Sequence, residues 1–549
     1  MSLGPFDPQA ALFSTAALSA QMFAPTDRYR IFQEKIYPCL IRARQTLAGS
    51  YCQDNGRPGI EPVLLAGVTL LQFLEGVPDR QAAEMLRYHA GWNFALNRQL
   101  GDRLFHATVL TYFRDRLIEH EQSALIFAQV LEGLVEAGLV KRRSKQRLDA
   151  TQVMGLLRHM SRLECVRETL RLALKELEES SAPFGRPVFW DELWERYLQS
   201  KLDYRTEASV LKLKMDQAGA DTHSLLEWVG KLSDPQIAQG RQVQLLQRVW
   251  NENFELDAQK ASEQRPAKPA GAVHNPHEPE AQWATKGTGK NKREHVGYKV
   301  QVAETVKEVA LQPGEPTVNF ITAIETQEAI GSDEAGQLQV EQQQAAMGLE
   351  KAPALYVDAA YVSAQKLAEA KSEGRELIGP AQPAPRKEGR FSVEDFQIDV
   401  EQRKAICPAG KENTQCSRLE AEATGKVDYR FEWSTHCQDC LLRQRCLGAE
   451  QKHRTVVVGQ YHSHLQARRR EQKTQAFQEK AKERNAIEGT QSELVRGHGL
   501  RHARYRGKTK NALQNYFIGA ACNAKRWIRR VIWELQRAQV GAKVSVATG

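Results

Sequence analysis

The stretch from Arg484 to Gly507 reads RNAIEGTQSELVRGHGLRHARYRG, a helix-like segment followed by a dense basic run. It places Glu488 one helical turn after Arg484, so that the two side chains are expected on the same side of a helix. From Lys482 to Arg530 the chain has 12 Lys and Arg against 3 Glu, a formal charge of +9 that equals the net charge of the whole protein. Because Lys and Arg contacts to phosphate dominate nucleic-acid affinity, this pattern indicates a polyanion held close to an acidic residue. A solvated C-terminal helix is the alternative.

Two further carboxylates lie in short apolar or β-branched runs, Asp149 in QRLDATQV and Asp358 in ALYVDAAYV. Two aspartates on strands and one glutamate on a helix form the metal-binding set of an RNase H-like nuclease core. Together with Arg484, Glu488 and GLRHARYRG at 499–507, they resemble the DDE transposases of bacterial insertion sequences. The similar type has a helical N-terminal domain, an R-x3-E helix and a cysteine-bearing insertion.

This resemblance implies a catalytic site at Asp149, Asp358 and Glu488 that binds two Mg²⁺ or Mn²⁺ ions, about 3.5–4 Å apart. The implied reaction is hydrolysis at the ends of the element, followed by attack of the freed 3'-OH on target DNA. The implied partners are terminal inverted repeats and target DNA, bound by a homodimer of a cytoplasmic, nucleoid-associated protein. The sequence departs from the type at Ala481, where a tyrosine is expected, and at Val495, where a lysine is expected.

Basic residues near both ends of the chain are candidate DNA contacts. The N-terminal segments GRPGIEP at 56–62 and HATVLTYFRDRL at 106–117 also resemble the same transposase type, and short helices with tight turns can present a helix-turn-helix to DNA. A structural helical bundle is the alternative. The C-terminal candidates are Arg484, Arg496, Arg501, Arg504, Tyr505, Arg506, Lys508 and Lys510. The N-terminal candidates are Arg80, Arg87, Arg98, Arg103, Arg114 and Arg116.

The periodicities predict an α/β fold: an RNase H-like mixed-sheet catalytic core with helical insertions, preceded by an all-α N-terminal domain. Strand candidates are LDATQV, VGYKVQVAET, NFITAIET, ALYVDAAYV and ELIGP. The expected organisation is a helical DNA-binding domain (1–140), the first catalytic strand (141–154), a helical insertion (155–258), core strands 2–5 (259–380), a cysteine-bearing insertion (381–470), the catalytic helix with the basic segment (471–535) and a tail (536–549).

Bulk properties narrow the protein class. The chain is 549 residues long, with 41% hydrophobic and 26% charged residues and a pI near 9.0, which describes a soluble multidomain protein with an anionic partner. No run of 18 apolar residues occurs, and no basic region precedes the mildly apolar N-terminus, so we expect neither a spanning helix nor a signal peptide. Nine cysteines, an odd number, argue against a disulfide framework in a cytoplasmic protein.

Five of the cysteines lie in the second insertion, and only one pair has a spacing typical of a metal site. Cys437 and Cys440 form a C-x2-C pair, which can supply half of a tetrahedral zinc site. Cys407, Cys416 or Cys446 would supply the rest. Buried apolar cysteines are the alternative, whereas a redox pair is less favoured because no thioredoxin-like βαβ context surrounds them.

The polar segment at 263–295 is rich in Pro, Gly and Lys and is predicted to be a loop. His274, His277, Glu278 and Glu280 lie close together in it, so a metal site is conceivable, but solvated side chains are favoured.

Two other functions are compatible with the sequence. A domesticated transposase would bind DNA without catalysis, but such a protein has no physical need for the three carboxylates. A stand-alone metal-dependent nuclease would cleave DNA without joining it. Only an assay that scores joined products separates this nuclease from a transposase.

Overall fold

The computed structural model describes residues 2–3, 19–52, 55–98, 104–256, 262–287, 292–307, 314–316, 319–422 and 425–547, with the main chain alone at Pro183 and 540–547. In the described part of the N-terminal region the regular elements are helices, as predicted. Its longer helices are α1 (Pro62–Glu75), α2 (Asp79–Tyr88), α3 (Thr108–Glu119) and α4 (Leu125–Glu136). Shorter helical segments are Arg28–Ile31, Phe32–Ile36, Tyr37–Arg42, Arg44–Ala48 and Ala90–Ala95.

Helix α1 shows how the local sequence sets these boundaries. It begins at Pro62, whose ring is tolerated in the first turn, and the Glu61 side chain accepts a hydrogen bond from the Val63 main-chain nitrogen at 3.4 Å. It ends at Gly76, which has a φ of 72° and satisfies the left-handed position that closes a helix.

A mixed sheet forms the centre of the molecule, and within the described residues it has six strands. They are β1 (Gln146–Met154), β2 (Gln282–Lys286), β3 (Arg293–Thr305), β4 (Ile321–Glu328), β5 (Ala354–Tyr356) and β6 (Glu376–Ile378). The strand order is β2-β3-β1-β5-β6, and β4 also pairs with β3. Strand β1 pairs antiparallel with β3 and parallel with β5, so it is central to the sheet. The predicted α/β class, with a mixed sheet and a helical N-terminal region, is confirmed.

The prediction of a continuous loop at 263–295 is wrong in part. Strand β2 lies inside this segment and pairs with the first residues of β3, from Gln282↔Gly297 to Lys286↔Arg293. The later residues of β3 pair with β4 instead. The first and last parts of this long strand therefore have different partners.

The helical insertion after β1 is built from α5 (Arg162–Ser180), α6 (Ala208–Gly230) and α7 (Arg241–Asn253), with shorter segments at Trp190–Trp194, Glu195–Gln199 and Pro235–Ala238. Its buried apolar side chains form a separate core that includes Trp190 and Trp250. Trp194 and Trp228 pack against this core. The four tryptophans therefore belong to a helical core, as the sequence favoured.

Helices α8 (Asp333–Ala346) and α9 (Ala364–Ser372) separate the later core strands. The cysteine-bearing insertion follows and contains β7 (Gln397–Asp399), β8 (Lys404–Ile406), β9 (Gln415–Ala421), β10 (Lys426–Glu432) and β11 (Thr455–Gly459). Strands β7 and β8 form a hairpin, and β9, β10 and β11 form a small antiparallel sheet. The insertion has its own small core.

The C-terminal part contains α10 (His462–Glu471), α11 (Gln475–Ala481), α12 (Ile487–His498) and α13 (Lys508–Ala547). Helix α13 continues through residues 536–547, which the sequence placed in a tail. One hydrophobic core joins α13, the N-terminal helices and one face of the sheet. Within it the rings of Phe73 and Phe517 stack, with centroids 5.6 Å apart. The two ends of the chain therefore pack together against the sheet.

Candidate active site

Asp149 and Asp358 lie side by side because of the register of two parallel strands. Arg147 on β1 pairs with Tyr356 on β5, and each aspartate lies two residues beyond its member of this pair. In two parallel strands, residues at the same distance beyond a paired position lie side by side, at the same end of the sheet. The two aspartates, 209 residues apart in sequence, are therefore neighbours.

Their surroundings differ. Asp149 is buried, with 8% of its surface exposed, and it accepts a hydrogen bond from the Ala150 main-chain nitrogen at 2.8 Å. Burial raises the pKa of Asp149 above its ordinary value of 3.8, although the Arg484 guanidinium opposes this shift. Asp358 is partly exposed and caps the short helix Ala359–Tyr361 by accepting from the Ala360 nitrogen at 2.8 Å.

Arg484 supplies the positive charge between the two aspartates. Its Nη2 atom lies 2.8 Å from an Oδ of Asp149 and 3.9 Å from an Oδ of Asp358. The sequence spacing predicted Arg484 and Glu488 on one helix. Arg484 instead lies in the 3₁₀ turn Lys482–Ala486 that precedes α12. Its ion pairs in the described structure are with the two aspartates and not with Glu488.

Glu488 lies in the first turn of α12 and is exposed. Among the described residues it takes part in no ion pair, and the oxygens of Asp149, Asp358 and Glu488 are not all within 4.8 Å of one another. The structure thus brings the two aspartates to one cation and leaves the glutamate at the start of the neighbouring helix.

Two hydrogen bonds fix the segment that carries Arg484 and Glu488 against β1. The Arg147 side chain donates to the main-chain oxygen of Glu483 at 2.5 Å. The Gln491 side chain donates to the main-chain oxygen of Ala150 at 3.4 Å. Both contacts flank Asp149 in sequence, so they set the position of the helix relative to that aspartate.

A buried ionic network, which the sequence analysis did not predict, lies behind these contacts. Glu304 on β3 is fully buried and lies 2.9 Å from the Arg147 guanidinium and 3.3 Å from that of Arg526 on α13. The Thr490 hydroxyl donates to Glu304 at 2.5 Å. Arg526 also pairs with Glu493 at 3.0 Å. This network joins the sheet to α12 and α13.

Glu493, His498 and Cys522 form the one group in the described part of the chain whose potential ligand atoms all lie within 4.8 Å of one another. Burial, with a smaller contribution from Lys525, lowers the pKa of His498 to about 4, so the ring is neutral at physiological pH. Glu493 is already paired with Arg526 and lies 3.5 Å from the Lys525 amine. A metal cation would add to this positive charge, so we interpret the group as part of the packing between α12 and α13.

The basic run after α12 is tied down at several points. The main chain of Arg501 and Ala503 exchanges hydrogen bonds with Met154 at 2.8 and 2.9 Å, which extends the end of β1. The Arg501 side chain donates to the Gln152 main-chain oxygen at 2.8 Å. Arg504 lies over the Phe73 ring at 4.8 Å. The guanidinium groups of Arg501 and Arg504 thus contact the protein.

Of the remaining C-terminal candidates, some contact other side chains of the protein and the others are exposed without an ion pair. Lys510 pairs with Asp115 at 2.7 Å, and the Lys508 amine lies 4.0 Å from Glu328. Tyr505 lies under the Arg114 guanidinium at 5.1 Å. Arg496 and Arg506 are exposed, and neither forms an ion pair within the described ranges.

The N-terminal candidates divide in the same way. Arg114 is buried and forms two hydrogen bonds with the Asp79 carboxylate, at 3.1 and 2.5 Å, so its role in this structure is to join α2 and α3. Arg98 is also buried, and Arg116 donates to the Ser50 main-chain oxygen at 2.9 Å. Arg80 and Arg87 are exposed. Arg103 lies outside the described residues.

The four residues of the polar segment do not converge on one point. His277 contacts Glu168 at 2.7 Å. Glu278 is buried and accepts from the Tyr298 hydroxyl at 3.0 Å, and Glu280 accepts from the Lys508 main-chain nitrogen at 2.6 Å. Burial lowers the pKa of His274 to about 4. These side chains stabilise the segment, and no metal cluster forms from them in the described structure.

The five cysteines of the second insertion are separated into two groups. Four of them line one small cavity together with His436 and two arginines; they are Cys407, Cys437, Cys440 and Cys446. Cys416 lies on β9, paired with Phe431 of β10, and does not line this cavity.

Comparison with known proteins gives two matches to protein-family models. A transposase DDE domain model matches residues 406–528, which include Glu488 and the four cavity cysteines. A second transposase domain model, DUF772, matches residues 19–116, which include α1, α2 and part of α3. No curated protein and no solved structure matches the chain. No helix in the described part is long and apolar enough to cross a membrane. The N-terminal and C-terminal parts of the chain are thus each similar to a transposase domain, which is consistent with an insertion-sequence DDE transposase.

Proposed function

We propose that this chain is an active transposase that cleaves DNA at the ends of its element and joins the freed 3'-OH to target DNA. The observation that carries the proposal is the parallel register that makes Asp149 and Asp358 neighbours, with one guanidinium between them. The region similar to a transposase DDE domain spans Glu488, the third carboxylate of the proposed set.

The residues present fit a divalent metal. Carboxylate oxygens are the ligands that Mg²⁺ and Mn²⁺ prefer. Burial already disfavours the charged form of Asp149, so this position needs a nearby cation, and in the free protein Arg484 provides it. Asp149, Asp358 and Glu488 would hold the ions, which activate the attacking oxygen and stabilise the leaving oxygen in a displacement at phosphorus.

Arg484 has two roles in this proposal. In the free protein it neutralises the aspartate pair, which limits the mutual repulsion of the two carboxylates. When metal ions take over that task, the guanidinium becomes available to a DNA phosphate, for which its planar, bidentate geometry is suited. Arg484 would thus hold the scissile region of the DNA beside the carboxylates.

The DNA partner is supported by the distribution of basic residues. Four of the candidate arginines are exposed and form no hydrogen bond or ion pair in the described structure. They lie on α2 and around α12 and are Arg80, Arg87, Arg496 and Arg506. These residues are better candidates for phosphate contacts than Arg114 or Arg501, whose guanidinium groups bind protein atoms. Homodimerisation on paired DNA ends remains a prediction.

The test uses the full chain, a linear DNA with the element's own ends and Mg²⁺, and it scores both cleaved and joined products. Asp149→Asn, Asp358→Asn and Glu488→Gln should each reduce cleavage by at least about 10²-fold, because each removes a metal ligand, and loss of even an outer-shell partner costs 10–100-fold. Binding to the DNA ends should change by no more than a few-fold. Glu483→Gln is the matched control, because Glu483 is exposed in the same segment and contributes only its main-chain oxygen to Arg147.

The outcomes separate the alternatives. Normal cleavage by any one of the three variants would remove that residue from the site. Cleavage without joined products would favour the stand-alone nuclease. End binding by the unaltered chain without any cleavage would favour the domesticated DNA-binding protein.

A further inference from the structure

The cavity in the second insertion has the size and the lining of a single-ion site. Its volume is about 20 Å³, room for one water-sized species. Cys407 enters from the residue after β8, while Cys437, Cys440 and Cys446 enter from the loop between β10 and β11. We propose that these four cysteines bind one structural Zn²⁺ ion, separate from the carboxylate site and independent of the proposed catalysis.

The charges around the cavity match such an ion. A Zn²⁺ ion with four thiolates has a net charge of −2, and Arg443 and Arg454 both line the cavity. Arg443 donates to the Cys437 main-chain oxygen at 2.8 Å, and Arg454 donates to the Cys446 main-chain oxygen at 3.1 Å. Two guanidinium groups therefore lie where they neutralise the complex.

One ligand already has an outer-shell hydrogen bond. The Arg454 main-chain nitrogen donates to the Cys437 sulfur at 3.5 Å, a contact of the kind that orients a metal ligand. A buried apolar cysteine needs no such donor. Zinc binding would release one proton from each of the four thiols and would transfer no electrons.

The loop that supplies three of the ligands has little regular secondary structure. Between β10 and β11 its one regular element in the described structure is the four-residue helix Arg443–Cys446. The apolar core beneath it is small and is shared with the β7–β8 hairpin. A structural ion stabilises such a segment by replacing the missing apolar burial.

The sulfur atoms need to close around the ion. Among the described residues no three of these thiols have their sulfurs mutually within 4.8 Å. Rotation about χ1 between staggered positions moves a sulfur without moving the main chain, and ion binding would require such a closure of these side chains. Order in this loop should therefore depend on the ion.

The test begins with the zinc content of the full chain, purified without chelators. Elemental analysis should find about one zinc per chain. Cys440→Ser should lose the zinc, and limited proteolysis should then cut the loop between β10 and β11. Cys416→Ser is the matched control, because Cys416 belongs to the same insertion but lies outside the cavity, and it should keep the zinc.

A second measurement covers the case in which Cys440→Ser fails to fold. The unaltered chain is stripped with a chelator and refilled with Co²⁺, and the absorption bands of thiolate-bound tetrahedral cobalt should appear. Zinc-free protein with a protease-resistant loop would overturn the proposal. So would a Cys437–Cys440 disulfide in the purified chain, or Cys440→Ser protein that retains its zinc.

Discussion

The two faces of α12 are held in opposite ways. The buried face presents Ile487, Thr490, Leu494 and His498 at helical spacing, and through Thr490 it joins the ionic network of Glu304. The opposite face presents Glu488 and Arg496, which are exposed and form no ion pair in the described structure. Arg484, just before the helix, is intermediate in burial, because its side chain is half-buried against the aspartates.

This difference indicates how a single helix can be fixed in place and still offer unpaired charges to a ligand. Charges that position the helix are buried and paired with partners far away in sequence. Charges that would contact metal or DNA are left at the surface, where solvation makes an unpaired group inexpensive. Substitutions on the two faces should therefore affect different properties, stability on one and DNA chemistry on the other.

The largest effect is expected for Glu304→Gln, on the buried side. The substitution removes the carboxylate shared by Arg147 and Arg526, whose side chains are 3% and 7% exposed, and leaves two buried guanidinium charges without it. Breaking a buried pair in this way costs about 3–5 kcal/mol of unfolding free energy. Urea unfolding, followed by tryptophan fluorescence, measures the loss.

The control for this variant is Glu534→Gln. Glu534 is 47% exposed and pairs with Arg530 one turn away on α13, so its loss should cost no more than about 0.5 kcal/mol. Equal stabilities for the two variants would show that the network around Glu304 does not anchor α12.

A smaller effect is expected for Arg484→Ala. If metal ions and Arg484 compete for Asp149 and Asp358, removing the guanidinium should strengthen Mg²⁺ binding at neutral pH by about two- to fivefold, corresponding to about 0.5–1 kcal/mol for a partly solvated ion pair. DNA cleavage should nevertheless fall, because the phosphate contact is lost. Calorimetric titration of the DNA-free chain with Mg²⁺ measures the affinity, and Arg484→Lys should restore part of the competition.

The pH dependence of this variant gives a second readout. Burial raises the pKa of Asp149 above 3.8, so the carboxylate becomes protonated as pH falls through that higher value. A protonated Asp149 no longer serves as a metal ligand. Arg484 opposes that rise, so Arg484→Ala should move the acid limb of Mg²⁺ binding to higher pH. The sign for stability is the reverse of the common aspartate case: a raised folded-state pKa contributes stability at low pH that is lost as pH rises. An unchanged acid limb would remove Asp149 from the metal site.

The sequence predicted the sheet well because its strands have short apolar or alternating patterns, and their order brought Asp149 and Asp358 together. It missed β2, because Gln282–Lys286 lies in a segment whose prolines, glycines and lysines are typical of loops. It placed Arg484 on the same helix as Glu488, because residue spacing does not reveal the 3₁₀ turn that precedes α12. It could not reveal the Arg526–Glu304 pair, whose members are 222 residues apart. The roles of the site residues themselves stay predictions.

The smallest effect for a single substitution is expected on the exposed side, where Arg496 and Arg506 should contact DNA phosphates. Each lost contact should reduce the slope of log affinity against log salt concentration by about 0.9. The double variant Arg496→Ala, Arg506→Ala should thus lose about 1.8 slope units, with similar weakening for every DNA sequence tested.

Arg504→Ala provides the matched comparison within the same basic run. Arg504 lies over the Phe73 ring, so its side chain packs the run against α1, and its loss should lower stability more than it changes the salt slope. Binding titrations from low to moderate salt, on end-bearing and unrelated DNA, measure the slopes. If Arg504→Ala changes the slope as much as the double variant, the guanidinium over Phe73 leaves the ring to bind DNA. If neither variant changes the slope, the exposed side of α12 is a solvated surface, and the DNA path lies elsewhere on the protein.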